Sequence, residues 1–561
     1  VTVLRRLALL PVIVLLAGLL PVPSGTDPAL TVLRARLADR EPDAAALASV
    51  RAELGLDGGP LGLLRQWLAG LAHGDFGRSW VSGEPVGPTV SHALGVSLTL
   101  AGFAVVVALL VALLLVGRSL RQGLTGRVVT GNGGTAAFLA ALPEFLLAMI
   151  LLLVFAVRLR LLPTAGWDGV AHAVLPSIAL GIPAGAVLGT IAADAVRGVV
   201  NEPWVTTWRA AGFPRGRVLP AVGRRAGSVL SGQVALLMAG LLGGAVTVEV
   251  VFAVPGLGRL AVAGALAQDV PVVRGCVLAI VLAGVVAGGL GAAGQRLLLG
   301  PAFTDGAMAA PPVTTRARSR MPVLVLGAVI GIVTVAGLTR DPRAVDLAAR
   351  MLPPSPGHPF GTDALGRDLL ARIGHGTVAT VLLAVAVTAV ALAFGLLWGL
   401  LLRGSSVVST MNAVPPTVVA LIVAAVAGPG VLGAAIAVAA VLWAPLAAHA
   451  RSLALEQHAA QYMDSARALG ASGPWLLVRH VLPAVVPPVV RNAVIRVPGV
   501  ALAVASLGFL GLGAQPPSPE WGLLLAEGMS YVERAPWLVA FPVAALASLG
   551  VLSAGLAARI R

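Results

Sequence analysis

The residues of this chain that could do chemistry are few, and their setting decides what each can do. Glu249 and Arg496 are ionisable groups within or at the ends of long apolar runs. A charge in such a place is costly unless it meets water or a partner, so each is a candidate contact on a polar path or a hydrogen-bonding group to a neighbouring helix. Arg491 stands closer to the start of its run, where a long side chain can reach the polar boundary. All 39 basic residues are Arg. Without Lys there is no GxxxxGK[ST] loop to hold the β- and γ-phosphates of a nucleotide, and no Lys to form a Schiff base. The single cysteine, Cys276, reads as a small buried hydrophobe. His358 and His375 share one loop, but they lie 17 residues apart (375 − 358) with no Cys nearby, which is no metal-ligand pattern. GLGRLA from Gly256 imitates a dinucleotide fingerprint, yet it comes after an apolar run rather than in a βαβ unit and reads as a turn. No catalytic residue, metal site or bound cofactor is expected, and the chain does not read as an enzyme.

A different kind of chemistry, that of a docking surface, is suggested by Gln457–Pro488. From Ala459, apolar residues recur at Tyr462, Met463, Ala466 and Leu469, the spacing of one helical face. Gly470 stops that helix in the manner of a C-terminal glycine, and Pro474 opens another near its first turn. The product is a short amphipathic helix, a turn and a helix leading back into an apolar run.

The elements that must position these groups can be read from composition. Of 561 residues, 58% are hydrophobic and only 11% charged, against ~25% charged in a soluble globular chain. Apolar runs of about 20 residues mark spanning helices, and they recur about six times in each half. The first runs from Arg5-Arg6 to about Val22 and reads as a retained span. Others are expected near 94–117, 135–157, 173–193, 229–251 and 273–297, then near 322–339, 376–402, 410–427, 430–449, 485–508 and 536–558. The reading is an all-α polytopic membrane protein of about twelve transmembrane helices. Its first unit is 1–300 with an external segment 24–91, its cytoplasmic linker 301–320, and its second unit 321–561. Arg-rich loops place the N-terminus in the cytoplasm by the positive-inside rule, in a cell (plasma or inner) membrane. The net charge of +15 is accounted for by these loops rather than by nucleic acid.

The halves echo each other. Gly212 and Gly470 lie 258 apart (470 − 212), and the FAVPGLG and FLGLG turns ending at Gly258 and Gly513 lie 255 apart (513 − 258). Pro143 and Pro415 are 272 apart (415 − 143), the difference matching an extra loop, RLRLLPTAGWDG, in the first half. Repeated halves are a common transporter architecture.

The spacing D-S-A-x3-G-x9-H-x-L-P, from Asp464 to Pro483, resembles the EAA loop of ABC importer permeases. GTDALGRDLLARIGHG (Gly361–Gly376) and FLGLGAQPPSPEWGLLLAEG (Phe509–Gly528) are similar to the second permease subunit of the dipeptide/oligopeptide/nickel group. LGLDGGPLGLLRQWLAGLAHGDFGRSWVSGEPV (Leu54–Val86) and VEVVFAVPGLGRL (Val248–Leu260) resemble the first. The resemblance implies two six-helix permease units of type I importer form in one chain, with the solute path between them. It implies partners: two ABC ATPase subunits or a fused ATPase, using ATP and Mg, an extracellular solute-binding lipoprotein, and the lipid bilayer. The implied ATPase-coupling loop comprises Asp464, Ser465, Ala466, Gly470, Leu482 and Pro483, with Arg209 and Gly212 in the first half. The implied cargo is dipeptides or oligopeptides; alternatives are nickel or another small solute, or an ion-coupled secondary transporter.

Departures from the pattern also carry expectations. The first loop reads Thr206-Thr207-Trp208 in place of a small-residue triplet, with Pro214 and Gly216 beyond it, which suggests an altered coupling contact. Val504 stands where the second subunit usually has a Glu matching Glu249.

Overall fold

The computed structural model describes residues 29–30, 33, 43–53, 59–124, 133–140, 142–200, 202–299, 321–401 and 416–560. The expected first span and the linker 301–320 lie outside the described residues. These fall into two compact units, divided between Arg318 and Ser319.

The first unit contains α1 (Ala44–Glu53), α2 (Gly59–Ala72), α3 (Val86–Leu124), α4 (Gly133–Ala140), α5 (Glu144–Leu151), α6 (Val170–Val200), α7 (Pro203–Ala210), α8 (Arg215–Val251), α9 (Leu257–Leu266) and α10 (Val270–Leu299). The second contains α11 (Met321–Leu338), α12 (Leu369–Leu401), α13 (Pro416–Ala427), α14 (Val431–His458), α15 (Gln461–Ala468), α16 (Gly473–Leu476), α17 (Leu482–Phe509), α18 (Trp521–Met529) and α19 (Trp537–Ile560). Among the described residues there is no strand, only the isolated bridges Arg78↔Pro85 and Thr362↔Asp368. Among the described residues six helical segments are long and apolar enough to cross a membrane: Val86–Gly117, Val170–Val200 and Val270–Ala287, then Leu369–Leu400, Val431–His458 and Gly473–Phe509. The protein is an all-α polytopic membrane protein.

Apolar surface cannot by itself drive helix pairing in lipid, so close backbone approach does. On α6, Gly181, Gly185 and Gly189 repeat every fourth residue against α3; a Cβ on Gly185 would lie 2.5 Å from the Ala108 carbonyl oxygen. The second unit uses the same device with the roles exchanged. There Gly395 and Gly399 of α12 meet α14, and a Cβ on Gly399 would lie 2.6 Å from the Ala447 carbonyl oxygen.

Two expectations need correction. The run at 135–157 is not one regular helix: it breaks before Pro143, resumes as α5, and widens to π-helical geometry over Leu152–Arg158. GLGRLA, expected as a turn, is helical from Leu257 and opens the short helix α9, and the stretch between the expected spans 485–508 and 536–558 likewise carries a short helix, α18.

Candidate functional site: capped short helices and paired docking turns

A short helix between spans has free N–H groups at its start, and where water is scarce these need acceptors. For α9 they come from elsewhere in the first unit. Ser97 Oγ of α3 accepts from Leu257 N at 2.8 Å, while Glu249 Oε2 accepts from Gly258 N at 2.7 Å and Arg259 N at 3.1 Å. Ser97 in turn donates to Glu249 Oε1 at 2.6 Å, and Glu249 is fully buried. A Cβ on Gly256 would stand 2.4 Å from the Glu249 carboxylate, so only glycine lets that carboxylate reach the helix. These contacts are the hydrogen bonds to neighbouring helices that one of the two readings of Glu249 expects.

The second unit meets the same need from another sequence position. Glu520 is itself the N-cap of α18, accepting from Gly522 N at 2.9 Å and Leu523 N at 3.0 Å. Burial pushes its carboxyl from the ordinary 4.5 up to about 6, against the lowering effect of those N–H groups. With the cap supplied locally, position 504 is left to packing, and Val504 is buried there. That is a physical reason for the departure noted in the sequence.

The far ends of α9 and α18 are clipped as well. Asp269, just beyond α9, accepts from Ser79 Oγ and, at 3.1 Å, from Trp80 N in the bridged turn before α3. On α18, Glu527 Oε2 takes Arg372 Nη1 at 2.7 Å and Arg367 Nη2 at 3.0 Å. Both arginines also pair with Asp363 Oδ2, at 2.7 Å and 2.6 Å. The acids and bases of the GTDALGRDLLAR string are therefore a buried ion-pair network that joins the turn before α12 to α18. Nearby, Asp368 accepts from Arg340 at 2.7 Å and contacts His358 Nδ1 at 2.9 Å. Burial tends to raise the Asp368 carboxyl, but hydrogen bonds from Ala371, His358 and Arg340 together hold it below the usual range. Among the described residues no group of three or more His, Cys, Asp or Glu could hold a metal ion.

The two turns around Gly212 and Gly470 share one backbone design. In the second, Gly470 N donates to Arg467 O at 2.9 Å and Ala471 N to Ala466 O at 3.0 Å. In the first, Gly212 N donates to Arg209 O at 3.1 Å and Phe213 N to Trp208 O at 3.0 Å. This is the Schellman closure of a helix C-terminus, and it requires the left-handed φ of +87° at Gly470 and +76° at Gly212. Pro214 is no obstacle, since it caps α8 from outside the helix. Each short helix is moored by one buried residue: Met463 among Ala447, Ala450, Val481 and Val485, and Val205 among Val196, Val199, Val218 and Val222. Met463 and Val205 are 258 apart (463 − 205), the spacing of the two glycines.

The expected apolar face of α15 divides. Met463 and Ala466 turn inward, but Tyr462 is exposed and Leu469 is 89% exposed. Asp464 and Ser465 are exposed, with Asp464 paired to Arg467 at 2.9 Å, and Pro483 is exposed beside half-buried Leu482. Each turn also carries three aromatic rings. Tyr462 and Trp475 flank His480 at 5.5 and 5.2 Å, while Trp208 packs on Phe213 at 5.1 Å and on Trp204 at 5.2 Å. Thr206-Thr207-Trp208 thus alters the first turn's side chains and leaves its backbone intact. Arg496 lies apart from all these groups, exposed on α17 with Nε donating to Asn492 Oδ1 at 2.8 Å.

Two compact helical units, each with a moored and solvent-presented helix turn, fit the membrane component of a transport system. The family described as the inner membrane component of binding-protein-dependent transport systems matches residues 104–299 and again 391–561, and the chain belongs to it. Among curated relatives, a probable D,D-dipeptide transport system permease protein of Escherichia coli K12 is 39% identical over 217 residues, 37% of this chain and 73% of that protein. A di/tripeptide transport system permease protein of Pseudomonas aeruginosa is 35% identical over 192 residues, 33% of this chain and 63% of that protein. A glutathione transport system permease protein of Shigella dysenteriae is 36% identical over 204 residues, 34% of this chain and 67% of that protein.

Proposed function

We propose that this chain is the membrane-spanning component of an ATP-driven importer of dipeptides and oligopeptides, two permease units supplied as one polypeptide. The observation that carries this reading is the pair of Schellman-closed turns, each moored by one buried side chain and presenting exposed residues. A partner that moves as a rigid body needs such a knob to push against, and two knobs fit two ATPase subunits or one fused ATPase on the cytoplasmic side. Gly470, Asp464, Ser465, Ala466, Leu482 and Pro483 would form one contact, and Arg209 and Gly212 the other. ATP and Mg would be held by those partners, and an extracellular binding lipoprotein would deliver cargo. The N-terminus would then be cytoplasmic. Peptide cargo is supported by the names of the relatives, and Arg496 is a candidate on the solute path.

The test is co-purification of the chain with its ATPase partners, then ATP-dependent uptake of labelled dipeptide in proteoliposomes. Gly470→Val should impair both association and uptake, because a β-branched residue in the left-handed region costs ~1–2 kcal/mol and disturbs the turn. Wild-type vesicles that take up no peptide, or a Gly470→Val variant that couples normally, would overturn the reading.

A further inference from the structure

We infer that Glu144 binds the ammonium group of the transported solute at a break in a spanning segment of the first unit. The inference rests on the reading of the chain as a peptide importer.

The break is a backbone feature. Helix α4 ends at Ala140, Pro143 takes an extended conformation (φ −63°, ψ 141°), and α5 begins at Glu144. In the second unit the described part of an apolar helix, α13, starts at Pro416, and Pro415 before it in sequence is the residue that matches Pro143. Proline-interrupted apolar segments at corresponding places in two halves mark the solute site of many transporters. A carboxylate follows only the first of these prolines, since the residue matching Glu144 is Pro416.

What separates Glu144 from Glu249 and Asp269, the buried acids of its unit, is the lack of a donor from any other residue among those described. Glu249 takes three hydrogen bonds, and Asp269 takes two from the bridged turn. Among the described residues the Glu144 carboxylate receives only its own backbone N–H, and no other residue donates to it. It is half-buried and precedes the buried run Phe145–Met149. Opposite it α8 presents Gly244, where a Cβ would come 3.4 Å from Glu144 Oε1 and so occupy the space in front of the carboxylate. Glycine at that position leaves the approach open.

A carboxylate at the first position of a helix is favoured by the helix dipole. That effect is small beside the cost of dehydrating an unpaired charge in a span. The charge needs a cation or a proton, and the described residues supply no cation. Every unmodified peptide carries an N-terminal ammonium whatever its side chains, so a single carboxylate can engage varied cargo by a charge-assisted hydrogen bond.

The experiment is initial-rate uptake of labelled dialanine by the full chain reconstituted with its ATPases and binding protein. Glu144→Gln should lower the rate about 10- to 100-fold, the worth of one charge-assisted hydrogen bond. Glu144→Asp should recover most of that loss, and both variants should keep the thermal midpoint of the wild type in detergent. Wild-type uptake by Glu144→Gln would overturn the inference, as would an equal loss of uptake and thermal stability in both variants. Absence of dialanine uptake by the wild type would instead remove the peptide reading on which it rests.

Discussion

Replacing Glu249 by Ala removes the acceptor for three donors at once: Ser97 Oγ, Gly258 N and Arg259 N, at 2.6, 2.7 and 3.1 Å. Each buried donor left without an acceptor costs ~1–3 kcal/mol. The three share one carboxylate and will not add in full, so a loss of about 3–6 kcal/mol is expected. Gln at this position keeps one carbonyl oxygen, which can still accept from Gly258 N and Arg259 N. Its NH2 can donate to Ser97 Oγ, which has a second lone pair beside the one used by Leu257 N. Only the Ser97 hydroxyl proton then loses its acceptor, and the cost should fall to ~1–2 kcal/mol. The assay is reversible unfolding in mixed detergent micelles, with hydrogen exchange across Leu257–Leu266 as the local readout. Glu249→Ala should raise exchange there more than in α3. If both variants keep wild-type stability and protection yet lose uptake, Glu249 acts on solute and the capping argument is wrong.

Arg372 is almost wholly buried and holds both Asp363 and Glu527. Arg372→Met should therefore cost ~3–5 kcal/mol, whereas Arg340→Met, which leaves buried Asp368 its bonds to Ala371 N and His358, should cost less, ~1–2 kcal/mol, in the same unfolding assay. Glu520 gives a pH dependence of stated sign. Its folded-state value is raised, so its contribution is fully present below the ordinary 4.5 and is lost as pH rises through about 6. Stability measured between these values should decline with pH by up to ~2 kcal/mol, and Glu520→Gln should remove that part of the slope.

Much of this protein was legible in its residues alone. Low charge and apolar runs near bilayer length are one-dimensional properties, and they established a polytopic chain. The Gly212 and Gly470 turns were also legible, because a C-terminal glycine after a short amphipathic stretch is a local signal. Where the decisive partner is remote, sequence failed. It left Glu249 open between two roles, since its partners Ser97 and Gly258 come from two other helices. It gave no hint that Glu520 does for α18 what Glu249 does for α9, because the two carboxylates occupy unmatched positions and converge only in space. Leu469 was expected to share a helical face with Met463, but α15 ends at Ala468, the turn at Gly470 is left-handed, and Leu469 is exposed where Met463 is buried. Periodicity can say which residues share a face of a continuing helix; only the tertiary structure decides where the helix stops and which remote groups satisfy its ends.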